Sequence, residues 1–301
     1  MDVSKIFDAL NDAQREAVGA TPGPMLVLAG AGSGKTRVLT YRIAYLVQAL
    51  QASPYSILAV TFTNKAASEM RRRIEDFLGF SVRGMWIGTF HGLSHRLLRD
   101  HHELAGLPSG FEILDSDDQY RVIRRALREM NLDEEHWPPR QVQWFINSQK
   151  EEGRRSAALH GTGDAHQQTL IRVYTHYEET CKRLGLVDFA ELLLSALELL
   201  EQNQSLRENY QQRFQHVLVD EFQDSNTIQY RWLKCLALAH GQIMAVGDDD
   251  QSIYGWRGAR IENMAQLQKD FTGTEVVRLE QNYRSTGNIL KAANAVIDLN
   301  P

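Results

Sequence analysis

Two short stretches of this sequence carry the residue types that phosphate chemistry needs. The first is Ala29-Gly30-Ala31-Gly32-Ser33-Gly34-Lys35-Thr36. Its glycines let the backbone curl until several N–H groups converge on phosphate oxygens. A helix opening at Lys35 would add the positive end of its dipole. In such a loop the lysine reaches the β- and γ-phosphates of ATP, and the Thr36 hydroxyl ligates Mg²⁺. The generic pattern starts with glycine, whereas Ala29 stands here, so Gly30 and Gly32 must supply the flexibility. The second stretch is His216-Val217-Leu218-Val219 running into Asp220-Glu221-Phe222-Gln223-Asp224. A carboxylate at a strand end suits Mg²⁺, which favours oxygen ligands and keeps waters, so Asp220 is expected to hold the ion through its water shell. Glu221, next along, is placed to orient and deprotonate an attacking water. Either stretch alone has a bland explanation: a glycine-rich turn with an incidental lysine, or an ordinary loop start. Together they point to nucleotide hydrolysis, with Lys35-Thr36 and Asp220-Glu221 expected at neighbouring strand ends of one sheet.

The elements that must hold these residues are legible as short apolar runs, each followed by a turn and a helical pattern. Candidate strands are Met25–Ala29, 57–62, 85–89, His216–Val219, 243–246 and 276–279, with helical periodicity over 65–78 and 228–238. Continuous apolar runs suit strands buried on both faces, and their alternation with helices implies a parallel α/β sheet. Between Phe90 and Phe214 no run reads as a strand. A connection of that length must carry its own structure, so residues 91–213 are expected to form an all-helical subdomain inserted into the sheet domain. Its arginines Arg121, Arg124, Arg125 and Arg128 fit a solvated helix face better than a DNA surface.

Composition sets the outer limits. The 301 residues are 43% hydrophobic and 24% charged, enough apolar material for a sizeable core. The net charge of −5 gives no global sign of a nucleic-acid binder, so any DNA contact must be local. Cys181 and Cys235 match neither metal-ligand nor disulfide spacing. The N-terminus lacks a signal pattern and no apolar run spans a bilayer, so a soluble cytoplasmic protein with no membrane partner is expected.

Further stretches narrow the class: Leu10-Asn11-Asp12-Ala13-Gln14, Ala59-Val60-Thr61-Phe62-Thr63-Asn64-Lys65-Ala66-Ala67, Gly88-Thr89-Phe90-His91-Gly92, Val246-Gly247-Asp248-Asp249-Asp250-Gln251-Ser252-Ile253-Tyr254-Gly255-Trp256-Arg257-Gly258-Ala259, and Leu279-Glu280-Gln281-Asn282-Tyr283-Arg284-Ser285. In this order they resemble the motifs of superfamily 1A DNA helicases, the UvrD, Rep and PcrA family, over essentially the whole chain. The resemblance implies a RecA-like phosphate-loop domain in two segments, 1–90 and 214–280. It also implies that 281–301 begins a second RecA-like domain continuing past Pro301; the helical pattern of 288–299 is expected to feed a further strand. The implied activity is ATP-dependent 3′-to-5′ DNA translocation and unwinding on single strands and single-strand/duplex junctions, in a DNA-repair setting with repair proteins as partners. A chain ending here would be an incomplete motor, poorly active alone.

The same resemblance implies roles for single residues. Gln14 reads the adenine edge, and Arg37 and Tyr283 sandwich the base. Gln251 senses the γ-phosphate, and Arg284 is an arginine finger. Phe62, Thr63, Asn64, Thr89, His91, Phe189, Tyr254, Trp256 and Arg257 contact single-stranded DNA. Aromatics serve there as stacking platforms and polar groups hold phosphates. Phe189 equally fits a core aromatic on an amphipathic helix, and His91 a hydrogen-bonded structural histidine. Trp256, between Gly255 and Arg257-Gly258, fits an exposed stacking role better than a core one. A transporter-type ATPase remains the competing class, but phosphate chemistry gives it no use for the aromatic 254–257 segment.

Overall fold

The computed structural model describes residues 4–159, 161, 163–255 and 258–297. Its first elements are α1 (Ser4–Phe7), α2 (Asp12–Gly19), β1 (Met25–Ala29), α3 (Lys35–Gln48), β2 (Ile57–Thr61), α4 (Asn64–Leu78), β3 (Trp86–Thr89) and α5 (Phe90–Asp100). Next come β4 (Glu112–Leu114), α6 (Ser116–Glu129), α7 (Pro139–Glu151), α8 (Ala165–Leu184), β5 (Leu186–Asp188), α9 (Phe189–Gln202) and α10 (Gln204–Arg213). The chain then runs through β6 (His216–Val219), α11 (Thr227–Ala237), β7 (Ile243–Gly247), α12 (Glu262–Asp270), β8 (Glu275–Leu279) and α13 (Gly287–Ile297). Two compact units result. One takes the described residues up to Phe90, then Ser205–Ser225 and those from Leu233 onward; the other takes His91–Gln204 and Asn226–Trp232.

The first unit is built on a six-stranded sheet in the order β3-β2-β6-β7-β1-β8, with every pairing parallel. β2 and β7 are buried along their whole length, as strands covered on both faces must be. β8 lies at the edge, and there Val277 and Leu279 are buried while Val276 and Arg278 are not, an alternation typical of a half-covered strand. Helices α2, α3 and α4 contribute Val18, Val38, Leu39, Ile43, Met70 and Ile74 to the core beside Val27, Ala59 and Val246. Because all strands run one way, their C-terminal ends share one edge, where open α/β sheets place ligands. β7 lies between β1 and β6, so the two strands expected to be neighbours are separated by one.

The second unit is helical, with Ile123, Leu127, Val142, Ile146, Tyr174 and Tyr177 as its core. It departs from the all-helical expectation: β4 and β5 form a parallel two-stranded sheet, Ile113 opposite Val187. Three-residue strands 72 residues apart leave no periodicity for a sequence window to detect. Residues 205–213, expected to close the insertion, group with the sheet instead. The reason is aromatic packing: Tyr210 and Phe214 lie with ring centroids 5.6 and 5.1 Å from that of Trp86. Each arginine of the basic stretch on α6 is held in an ion pair. Arg121 pairs with Asp118, Arg125 with Glu129, and Arg124 and Arg128 with Glu134. Among the described residues no helix is long and apolar enough to cross a membrane. Both cysteines are free thiols, and burial pushes that of Cys181 up to about 11.

Candidate nucleotide site at the sheet edge

The phosphate loop is held open by two glycines in the left-handed region, Gly32 at φ +72° and Gly34 at φ +93°. Gly34 is the cap of α3, so the first free N–H groups of that helix face the loop. Ser33 closes the turn: its N–H and hydroxyl both donate to the Gly30 carbonyl, at 3.2 and 2.7 Å. Ala29 is the last residue of β1, buried and paired in register with Leu279. A glycine is not needed there, because the turn begins one residue later.

Lys35 and Thr36 cross to the β6 end through their side chains. The Lys35 ammonium lies 3.2 Å from Glu221 Oε2 and 4.0 Å from Asp248 Oδ2. Neither contact has hydrogen-bond geometry, and this buried ammonium makes no hydrogen bond within the described residues. The Thr36 hydroxyl is close enough to Asp220 to favour its charged form. Glu221 sits in the left-handed region at φ +49°, an uncommon conformation for a side chain that is not glycine. Burial, reinforced by the charge of Glu221, pushes Asp220 up to about 7. The same two causes bring Asp224 to about 6, and burial raises Asp248. One Asp224 oxygen is buried with no hydrogen-bond partner. Four carboxylates thus gather around one ammonium. A hydroxyl beside a buried carboxylate, crowded anions and an ammonium without a hydrogen bond fit a divalent cation carrying a phosphate chain.

The other expected nucleotide residues lie around this loop. Gln14 is buried; its amide donates to the Ser33 carbonyl at 2.8 Å and accepts from the Asn11 N–H at 3.2 Å. It therefore braces the phosphate loop. Arg37 is exposed over Tyr41, its guanidinium carbon 5.7 Å from the ring centre. It lines a groove of about 520 Å³ with Thr40, Tyr41, Arg73, Asp76 and Phe77. Tyr283 is 54% exposed, and its hydroxyl accepts from Asn11 Nδ2 at 2.8 Å. The Tyr283 N–H donates to the Gly32 carbonyl at 3.0 Å, and Asn282 donates to that of Ala31. Arg284 is held over Gly32, where a Cβ would come within 2.7 Å of its own Cβ. Gln251 donates to the Asp248 carboxylate. Asp248 was missed in the sequence, although it follows an apolar strand just as Asp220 does. Gln223 and Asp224, also missed, lie in a turn whose geometry no pattern announces.

The DNA-contact candidates are split between the units. In the first, Thr63 caps α4 by accepting the Ala66 N–H at 3.1 Å, with Asn64 the next residue. Phe62 meets buried Phe90 edge-on at 5.7 Å, while Thr89 ends β3 and Tyr254 is half-buried. In the second, His91 meets Phe189 edge-on at 5.8 Å, and burial lowers the His91 pKa. Phe189 is 50% exposed at the start of α9, which rules out the core reading. Trp256 and Arg257 lie outside the described residues.

A model of the UvrD/REP helicase N-terminal domain matches residues 10–272. The chain belongs to this family. It is 60% identical to DNA helicase II of Escherichia coli strain K12 over 300 residues, covering 100% of this chain and 42% of that relative. DNA helicase II of Haemophilus influenzae is 57% identical, covering 99% and 41%. ATP-dependent DNA helicase PcrA of Leuconostoc citreum is 45% identical, covering 100% and 40%. The chain therefore spans about two-fifths of the length of these curated relatives. Family membership makes the parallel sheet a RecA-like helicase domain.

Proposed function

We propose that this chain is the ATP-binding part of a 3′-to-5′ DNA translocase that couples ATP hydrolysis to movement along single-stranded DNA. The observation that carries this reading is the Lys35 ammonium, buried among Glu221 and Asp248 with no hydrogen bond made. Glu221 and Asp248 meet this ammonium as ion pairs only, and a triphosphate would take its protons as hydrogen-bond donors. Gly30–Gly34 N–H groups and Lys35 would hold the triphosphate, with Thr36 and Asp220 the ligands of Mg²⁺. Held there by Thr36 and Asp220, Mg²⁺ would supply positive charge against the charge developing on the phosphates. Glu221 would orient the attacking water and take its proton. Gln251 would sense the γ-phosphate, and Arg284 would supply positive charge as charge spreads in the transition state. Gln14, Arg37 and Tyr283 would hold the base side.

Single-stranded DNA would be met by Phe62, Thr63, Asn64, Thr89, Tyr254, Trp256 and Arg257 of the first unit and by His91 and Phe189 of the second. The exposed ring of Phe189 supports stacking. Junction DNA, repair proteins as partners and a cytoplasmic location belong to the same proposal, as does the reading of residues from 281 onward as the start of a second RecA-like domain.

The test is ATP hydrolysis with magnesium, with and without single-stranded DNA, for the wild type and Glu221→Gln. DNA-stimulated turnover that falls by roughly 10²-fold or more in the variant is expected. Equal turnover in both proteins would sink the assignment of the base. For Phe189→Ala, single-strand affinity should fall by about 1–3 kcal/mol with nucleotide affinity unchanged. Intact DNA binding would remove the stacking role.

A further inference from the structure

The side chain of Gln223 is buried and bonded at both ends. Its Nε2 donates to Glu221 Oε2 at 2.9 Å, and its Oε1 accepts the Asp248 N–H at 3.0 Å. Asp248 in turn accepts from Gln251 through its carboxylate and from the Asp250 N–H at 3.2 Å. One amide therefore ties the end of β6 to the end of β7.

The surroundings leave this amide one position. A Cβ at Gly247 would lie 2.9 Å from Gln223 Oε1, 3.3 Å from its backbone N and 2.6 Å from Met264 Cε. Phe222, one residue earlier, is fully buried. Ser225, two residues later, donates its hydroxyl to the Phe222 carbonyl at 2.7 Å and accepts at its carbonyl from the Arg260 N–H and Asn263 Nδ2, both at 2.9 Å. The turn that carries Gln223 is thus fixed from three sides. Glu221 itself, at φ +49°, has a backbone that local preference does not choose. A carboxylate on such a backbone keeps its direction only if a side-chain contact holds it.

We infer that Gln223 is a positioning residue for hydrolysis: its amide aims the Glu221 carboxylate and locks that aim to the β7 end that carries Gln251. This deepens the proposed function and rests on Glu221 being the base. The Nε2–H bond leaves one Glu221 oxygen committed to Gln223 and the other available to water. A shift of the β7 end on nucleotide binding would be passed to Glu221 through this amide, alongside the Lys35 ammonium that lies 3.2 Å from Glu221 Oε2 and 4.0 Å from Asp248 Oδ2.

The experiment measures kcat, KM and ADP affinity of the whole chain with single-stranded DNA for four proteins beside the wild type: Gln223→Met, Gln223→Glu, Glu221→Gln, and Glu221→Gln combined with Gln223→Met. Gln223→Met keeps the volume and loses both bonds. It should lower kcat by roughly 10- to 100-fold, with KM and ADP affinity changed by about twofold at most. Gln223→Glu keeps an acceptor for the Asp248 N–H, loses the donor to Glu221 and sets a second carboxylate against it, so it should fall at least as far. In the Glu221→Gln background, Gln223→Met should cost nothing further, because its effect runs through that carboxylate. Wild-type turnover in Gln223→Glu, an equal drop in both backgrounds, or a loss confined to KM would overturn the inference. Equal turnover of wild type and Glu221→Gln would instead remove the base assignment, and this inference with it, before any Gln223 variant is read.

Discussion

Each unit of this chain buries a cluster of charges, and the two clusters are built on opposite rules. In the helical unit, Lys150 and Asp188 are both buried and meet at 2.6 Å. Lys150 also pairs with Glu191 at 2.8 Å, and Tyr177 donates to Asp188 at 2.7 Å. Arg155 bonds Glu178, Glu191 and Glu198. Burial alone would raise Glu191, but Lys150 and Arg155 together hold it well below the usual carboxylate range. Every charge there has a partner, and Asp188 also caps α9, so the cluster fixes the helix that begins with Phe189. At the sheet edge the count does not close: the carboxylates of Asp220, Asp224 and Asp248 are raised, and Lys35 makes no hydrogen bond. A closed cluster serves structure, whereas an open one awaits a ligand.

The largest expected effect breaks the closed cluster. Lys150→Ala leaves Asp188 and Glu191 buried with a cation removed, which should cost about 3–5 kcal/mol of unfolding free energy. Chemical denaturation monitored on the helical signal measures it. A loss near zero would mean that water or a neighbour replaces Lys150, and the cluster would not be closed in the sense argued.

Opening the other cluster further should leave the fold intact and remove the chemistry. Lys35→Ala is expected to reduce DNA-stimulated ATP hydrolysis by roughly 10²- to 10³-fold. Its unfolding midpoint without nucleotide should fall less than that of Lys150→Ala, because the ammonium gives up ion pairs to Glu221 and Asp248 but no hydrogen bond. A variant that hydrolyses normally, or that unfolds like Lys150→Ala, would erase the distinction between the clusters.

The two clusters should also respond to pH with opposite sign. Asp220 has a folded value of about 7, above its unfolded one near ~3.9, so the folded state prefers it protonated. Its contribution is fully present below about pH 4 and is lost as pH rises through 7. Glu191 is held below its unfolded value, so its contribution is present above about pH 4.3 and is lost as pH falls below that. Without magnesium or nucleotide, Asp220→Asn should therefore stabilise the chain at pH 8, by on the order of 2 kcal/mol, and leave it nearly unchanged at pH 4. Glu191→Gln should destabilise it at pH 8 and matter less at low pH. Stability curves of the three proteins against pH decide this; parallel curves would refute it.

Sequence pattern exposed the open cluster well and the closed one hardly at all. The phosphate loop and the Asp220-Glu221 pair are contiguous words, because a strand end must present its ligands within a few residues. Lys150, Asp188, Glu191 and Arg155 meet only through the packing of α7, α8 and α9, and no window of the chain contains them together. The same holds for Gln223, whose partners lie on two strands, and for β4 with β5. Gln14 shows the complementary difficulty. Its place beside the loop follows from its motif, and Asn11 three residues earlier spells a capping box, but its bond to the Ser33 carbonyl depends on where α2 packs, which only the fold reveals.

The smallest expected effect concerns the basic face of α6, where sequence leaves a DNA surface and a solvated helix face both standing. Each arginine is exposed and already paired: Arg121 with Asp118, Arg125 with Glu129, Arg124 and Arg128 with Glu134. A paired guanidinium brings little net field to a phosphate, and exposed pairs contribute little to stability. Arg121→Ala combined with Arg125→Ala should therefore leave the unfolding midpoint, the single-strand affinity and its dependence on salt all unchanged. The salt dependence is the sensitive readout, since every phosphate contact removed lowers its slope by about 0.7 for single strands. A fall of that size per arginine would show that the pairs open to meet DNA. It would also make this face a third kind of charge cluster, closed at rest and open in use.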